Sequence, residues 1–382
     1  MAWMPLMCRC VYIVLALLLD QGVALAESGV TSQKLVLGMS TPLSGPLAPY
    51  GLELQRGLNL GFAQVNVAGG IGGRQIELLV RDDAGIPERA VANTQALLAR
   101  GVLAMTGYHG SASIEATLSL WDGAGVPVIG VASGAEILRD PLRPLVFNLR
   151  AGVREEAAAT VLHLDTLGVT DIAVLAQDDA IGAAGLQGML DELMRLAMRP
   201  TVQARLPREA ADADVTQAVL TVCKNKPQAM VLVLDPRHTL AVVQKARQLG
   251  CKPQFYVLSG AGVHLMTSPQ QKMDMADVAV SQVLPHPAGV SVPIASDYQR
   301  LLAQAGGGTP TYPGLEGFMY ARVITEAIRR CTRELVRSCL VAALEARPVD
   351  VGGYRVLFSP SDRRGSRFVE MTIVTPDGRF RR

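Results

Sequence analysis

The sequence predicts an α/β protein built from two doubly wound parallel-sheet lobes. From residue 34 onward short apolar runs alternate with longer amphipathic ones, the strand–helix–strand rhythm of a parallel sheet covered by helices on both faces. The rhythm restarts after Phe147-Asn148-Leu149-Arg150, which makes two such units. The 382 residues are 49% hydrophobic and 18% charged, enough to bury two moderate cores and too apolar for a disordered chain.

The first 26 residues differ in kind from the rest. Arg9 precedes the apolar run VYIVLALLL, and Ala24-Leu25-Ala26 supplies the small-x-small pattern at which export signals are cut. Asp20 interrupts the run well short of the roughly 20 apolar residues a bilayer span needs, so a cleaved signal, a periplasmic location and a mature chain without a membrane span are expected. Residues 34–39 then read as a strand, 52–68 as a helix, 75–80 as a strand and 88–100 as a helix, and 102–106, 113–124 and 126–131 continue the alternation. The glycine cluster at residues 69–73 precedes a strand, whereas a phosphate cradle opens a helix, so it reads as a helix-to-strand turn.

The second unit comprises helix 154–167, strand 171–176, helix 183–196, a run at 201–205, helix 215–223, strand 228–234, helix 239–249 and strand 254–258. The remaining runs are strand-like 278–283, helices near 294–304, 316–330 and 334–346, and strands 354–358 and 368–374. They are too few for a third parallel sheet and are expected to complete the other two. The expected division is residues 27–148 plus 285–350 for lobe 1 and 149–284 plus 351–382 for lobe 2. Three chain crossings then form a hinge, and a cleft lies between the carboxyl edges of the two sheets.

Composition narrows the function. Thirty-six Lys and Arg face 34 Asp and Glu, too even a balance for the phosphate-neutralising field that nucleic acid requires. The interleaved Asp362, Glu370 and Asp377 make the arginine-rich C-terminus a solvated edge. No phosphate-loop, zinc-protease or nucleophile-elbow motif occurs, and His109, His163, His238, His264 and His286 are scattered without metal-ligand spacing. No cofactor or metal is therefore expected, and Ser111 with His109 lacks the orienting third group of a hydrolase. Beyond the signal four cysteines remain. Cys331–Cys339 closes a short loop and is the preferred pair; Cys223 and Cys251 each precede a strand-like run and form a second candidate pair, with buried thiols as the alternative.

Three loops at strand carboxyl ends stand out. They are 40–46 with Ser44, followed by Tyr50; 107–113 with His109 and Ser111; and 132–135, Ala132-Ser133-Gly134-Ala135. Hydroxyls beside helix N-terminal amides suit a carboxylate, though simple N-capping by Ser111 or Ser113 uses the same residues.

The order of GMSTPLSGPLAPYG, GGIGGRQIEL, RDDAGIPERAVANTQALL, TGYHGSAS and VPVIGVASGAEIL resembles the leucine/isoleucine/valine-binding type of periplasmic solute-binding protein. The resemblance covers nearly all of the mature chain. It implies a type I periplasmic binding fold with a three-segment hinge, a small-molecule ligand and an ABC transporter permease as partner. It places the carboxylate contact on Ser111 and backbone or hydroxyl contacts on Ala132 and Ser133. In lobe 2, Ile181-Gly182 stands where the branched-chain binders carry Tyr-Gly, and Ser259 where they carry the glutamate that receives the ligand ammonium. Asp178, Asp179 and Asp235 are candidate substitutes; otherwise the ligand lacks an amine. The implied function is capture of a small carboxylate-bearing solute, an amino acid or analogue, for an ABC importer, with a receptor-coupled ligand sensor as the alternative.

Overall fold

The computed structural model describes residues 27–264, 269–331 and 334–382, and the expected export signal lies outside them. The first unit runs β1 (Lys34–Thr41), α1 (Ala48–Val67), β2 (Gln75–Asp82), α2 (Pro87–Arg100), β3 (Ala104–Met105), β4 (Tyr108–His109), α3 (Ser111–Ala124), β5 (Val128–Ile129), β6 (Val131–Ala132) and β7 (Val146–Phe147). The second runs α4 (Val153–Thr166), β8 (Ile172–Gln177), α5 (Ala180–Arg195), β9 (Val202–Leu206), α6 (Asp212–Cys223), β10 (Ala229–Val233), α7 (Pro236–Gln248), β11 (Gln254–Val257) and α8 (Ser259–His264). The remainder is α9 (Pro269–Asp274), β12 (Ala279–Gln282), α10 (Pro293–Gln304), α11 (Tyr312–Arg330), α12 (Arg337–Ala346), β13 (Val349–Asp350), β14 (Arg355–Val356), β15 (Glu370–Val374) and β16 (Phe380–Arg381).

Two sheets result. The first has the order β2-β1-β3-β5-β7 and is parallel throughout. The second has the order β16-β15-β12-β11-β10-β8-β9; its central strands are parallel and the late β15 and β16 add antiparallel to one edge. Helices cover both faces, which is why β8 (IAVLAQ) and β10 (AMVLV) are buried at every residue and read as continuous apolar runs. Their side chains divide into two core clusters, one on each face of the second sheet.

The strand expected at 126–131 is broken. Gly130, at φ 80°, separates β5 from β6, and a Cβ there would stand 2.5 Å from the Tyr320 ring. Gly107, at φ 68°, breaks the neighbouring strand at the same level, and its amide donates to the Gly130 carbonyl at 2.9 Å. Both kinks need the left-handed backbone that glycine adopts without penalty. Beyond them β4 and β6 leave the main sheet as a separate parallel pair, carrying His109 opposite Ala132.

The chain passes between the sheets three times. The first passage follows β7, the second follows β12, and the third precedes β15. Val351, Tyr354, Val356 and Phe358, expected in lobe 2, pack in the core of the first lobe, and the Gly365 amide donates to the Asn148 carbonyl at 2.8 Å. The third passage therefore falls between Gly365 and β15 rather than at residue 350. Both cysteine pairs, Cys223–Cys251 and Cys331–Cys339, are disulfides. The glycine cluster is the expected turn between α1 and β2, closed by an Ile71–Arg74 bridge. At the arginine-rich end Arg367, Arg379 and Arg382 pair with Asp362, Asp377 and Glu370. Arg363 departs from a solvated edge: it is buried over the Phe147 ring and pairs with Glu345.

Candidate functional site

Ser111 is not an N-cap. Gly110, at φ 91°, holds the cap position without a side-chain bond, and α3 starts at Ser111 itself. This leaves the Ser111 hydroxyl free to meet the Ser133 hydroxyl at 2.9 Å, across the β4–β6 edge. Ser133 is in turn fixed by the Ala135 amide, which donates to its Oγ at 3.2 Å. Arg139, buried and passed over in the sequence, clamps this loop from behind by donating to the carbonyls of Ser133, Ala135 and Arg150. Burial lowers the Arg139 pKa to about 10, in a setting where carbonyl oxygens supply its bonds.

Beside the hydroxyl pair three rings form a stack that joins the lobes. Tyr50 lies on His109 with ring centroids 4.1 Å apart and an interplanar angle of 4°, and His264, from α8 of the second lobe, lies 5.1 Å from Tyr50. His109 Nδ1 bonds the Ala132 carbonyl at 2.9 Å, so that nitrogen carries the proton. His109 Nε2 is then an acceptor, and His264 Nε2 donates to it at 3.1 Å. Burial holds both rings neutral, His109 at a pKa of about 4 and His264 at about 3. Tyr50 and His109 were legible as loop residues in the sequence, whereas His264 stood among the scattered histidines.

A buried ionic network backs the stack. Arg150, on the first passage between the lobes, donates to Tyr50 Oη at 3.2 Å, to Glu316 Oε1 at 3.3 Å and to Ser259 Oγ at 2.7 Å. Glu316 belongs to α11 of the first lobe and also accepts from Tyr320 at 2.6 Å and from Tyr50. Glu156, on α4 of the second lobe, accepts from the Ser259 amide, the Ser259 hydroxyl and the Ser281 hydroxyl at 2.7–2.9 Å, and lies 3.8 Å from Arg150. Burial works to lower the Arg150 pKa, but Glu316, Tyr50 and Glu156 reverse the shift and keep it charged. One cation thus ties together the hinge and both lobes.

The other named residues have different occupations. Ser44 is exposed and donates to Asp82 at 2.6 Å. Ile181 packs against the cores of both lobes. Asp235 caps α7, accepting from the His238 amide at 2.8 Å and bonding His238 Nδ1 at 2.9 Å. Asp179 caps α5 through the Gly182 amide at 2.8 Å, and Asp178 pairs with Arg205 at 3.1 Å.

A cavity of about 790 Å³ lies between the lobes, with Tyr50, Tyr312, His264, Lys272 and Phe380 in its walls. Among the described residues no group of three or more His, Cys, Asp or Glu side chains is placed to hold a metal ion, and no helix is long and apolar enough to cross a membrane.

The family described as "Periplasmic binding protein" matches residues 34–379. A Leu/Ile/Val-binding protein homolog 7 from Brucella suis is 24% identical over 374 residues, covering 93% of this chain and 92% of that protein. A substrate-binding periplasmic protein from Ralstonia solanacearum superposes with a TM-score of 0.76 at 30% identity, covering 90% of this chain and 98% of that one. An extracellular ligand-binding receptor from Verminephrobacter eiseniae does so with a TM-score of 0.82 at 26% identity, covering 91% and 100%.

Proposed function

The chain belongs to the periplasmic binding protein family, and we propose that it captures a small carboxylate-bearing solute between its lobes and delivers it to an ABC importer. Proteins of this family bind solutes and are not enzymes. The observation that carries the proposal is the Ser111–Ser133 hydroxyl pair, held by Arg139 at the start of α3 and left free of N-capping duty. Two adjacent hydroxyls and the open amides of a first helical turn give a carboxylate charge-assisted hydrogen bonds without a buried counter-cation.

Binding couples to movement through the hinge. A solute seated on lobe 1 gains contacts from lobe 2 only when the lobes meet, so its differential affinity favours the closed form. The closed shape is what a permease partner would distinguish from the empty one. Export through residues 1–26 would put the protein where such solutes arrive.

Two measurements test this. Ser111→Ala should weaken carboxylate binding by about 1.5–3 kcal/mol, the worth of a hydrogen bond to a charged group, in titration calorimetry. A deletion strain should lose uptake of the same solute. Unchanged affinity moves the seat elsewhere, and unchanged uptake removes the transport role.

A further inference from the structure

We propose that the 790 Å³ interlobe cavity is a binding site in its own right, separate from the serine pair, for an amphiphilic carboxylic acid that carries no ammonium group. Tyr50 and His264 form part of its wall, whereas Ser111 and Ser133 do not. Both lobes contribute: Tyr50 and Tyr312 come from the first lobe, Val263 and Lys272 from the second, and Phe380 from the edge strand of the second sheet. Its volume falls within the roughly 300–1,000 Å³ of sites that enclose drug-sized ligands, well beyond what a lone amino acid fills.

The apolar part of the wall is aromatic and proline-rich. Tyr312 and Phe380 meet edge to face at 5.4 Å, and Pro49, Pro287, Pro310 and Pro313 extend the surface. Such a wall takes a ring or an acyl chain and offers little to a polar solute.

The charges select the head group. Two carboxylates line the cavity, and both are occupied: Asp377 pairs with Arg379, and Glu53 accepts from Thr311 at 2.9 Å and pairs with Arg56 at 3.7 Å. His286 is engaged at both ring nitrogens, by the Ala288 amide and the Phe380 carbonyl. Lys272, half-buried with its stem laid against Gly378, has no ion-pair partner among the described residues. The Tyr312 hydroxyl is likewise buried without a hydrogen-bond partner among them. A cation is therefore available, and both carboxylates of the wall are already paired. A ligand ammonium here would meet the cations Lys272, Arg379 and Arg381, with both wall carboxylates already paired, which disfavours it relative to an anion.

The probes are 4-phenylbutanoate and its 2-amino derivative, which differ only by the amine, with octanoate to separate an aromatic from an acyl body. In calorimetry on the full-length exported protein, 4-phenylbutanoate or octanoate should bind at least tenfold more tightly than the amino derivative. Lys272→Met should weaken that binding tenfold or more, and Ser111→Ala should leave it alone. Equal or tighter binding of the amino derivative overturns the proposal, as does unaltered affinity in Lys272→Met, or failure of both simple acids to bind. Carboxylate binding that falls with Ser111→Ala and not with Lys272→Met also overturns it while leaving the proposed function standing. Unchanged uptake in the deletion strain would instead overturn the transport role and leave this site standing.

Discussion

Acidification should open the contact between the lobes. His109 Nε2 accepts from His264 Nε2–H at 3.1 Å, and the Ala132 carbonyl holds the other His109 nitrogen in its protonated form. Protonating His109 at Nε2 would point two N–H groups at one another, with Arg150 adding a further like charge nearby. The His109 pKa is lowered from 6.5 to about 4 by burial, so above about pH 6.5 the ring is neutral in open and closed forms alike and closure keeps its full stability. As pH falls from about 6.5 to about 4 the solvated ring takes up a proton that the closed form does not, and closure is lost progressively. Between about pH 7.5 and 4.5 the loss from His109 alone is at most about 2.5 kcal/mol, the value when opening solvates the ring fully, because each tenfold difference in proton affinity between the two forms is worth roughly 1.36 kcal/mol. Small-angle scattering of the ligand-free protein should show a larger radius at the acid end, with a reduced affinity for solute in parallel. The double variant His109→Gln/His264→Gln removes both titrations while other acids, including Glu156 and Glu136, remain as background. The mechanism is refuted if that variant expands with acid as much as the parent does.

Two further outcomes follow from buried or cross-linked groups. Arg150→Met leaves Glu316 and Glu156 without their cation, and thermal unfolding should show a loss of about 3–5 kcal/mol, the range for breaking a buried pair on one side; a loss below about 1 kcal/mol would mean the network is solvated. Replacing Cys223 and Cys251 together by Ser opens a loop of 28 residues and should cost about 3.5 kcal/mol in denaturant unfolding, by chain entropy, with solute affinity unchanged.

Most of the fold was legible because strands buried on both faces are plain apolar runs, as in β8 and β10, and because helix punctuation is local. The elements that lie away from their expected positions do so for specific causes. α5 and α7 start three residues before the expected 183 and 239, because Asp179 and Asp235 serve as N-caps. The breaks at Gly107 and Gly130 depend on a Tyr320 ring and on Met39 and Leu58, residues remote in sequence, so neither glycine announces its role. The hydroxyl pair was legible as two loops at strand ends. The ionic network was not, since Arg150, Glu156, Ser259 and Glu316 come together across more than a hundred residues. One signal was present: Glu316 interrupts the buried stretch Tyr312–Tyr320 of α11, and a charge inside an apolar helix needs a buried partner.

Whether the solute at the serine pair carries an amine turns on which carboxylates remain uncommitted nearby. Asp179 and Asp235 hold helix starts, and Gln177 ties them together, donating to Asp179 at 2.9 Å and accepting from the Asp235 amide at 2.9 Å. Asp178 is bound to Arg205. Glu156 and Glu316 share Arg150 and are further held by serine and tyrosine hydroxyls. Ser259 itself receives the Arg150 guanidinium and donates to Glu156, so the protein's own cation stands at this position of lobe 2. A ligand ammonium would have to displace Arg150 from one of its buried acids, break a half-buried helix cap or draw the exposed Asp178 from Arg205, and each exchange forfeits bonds already made. A carboxylate meets no such competitor at Ser111 and Ser133, where the hydroxyls bond chiefly to one another. The electrostatics on the two sides of the cleft therefore favour an acid without an amine over an amino acid, and Asp235→Asn, which keeps an oxygen to cap the His238 amide, should cost α7 little and leave solute affinity intact.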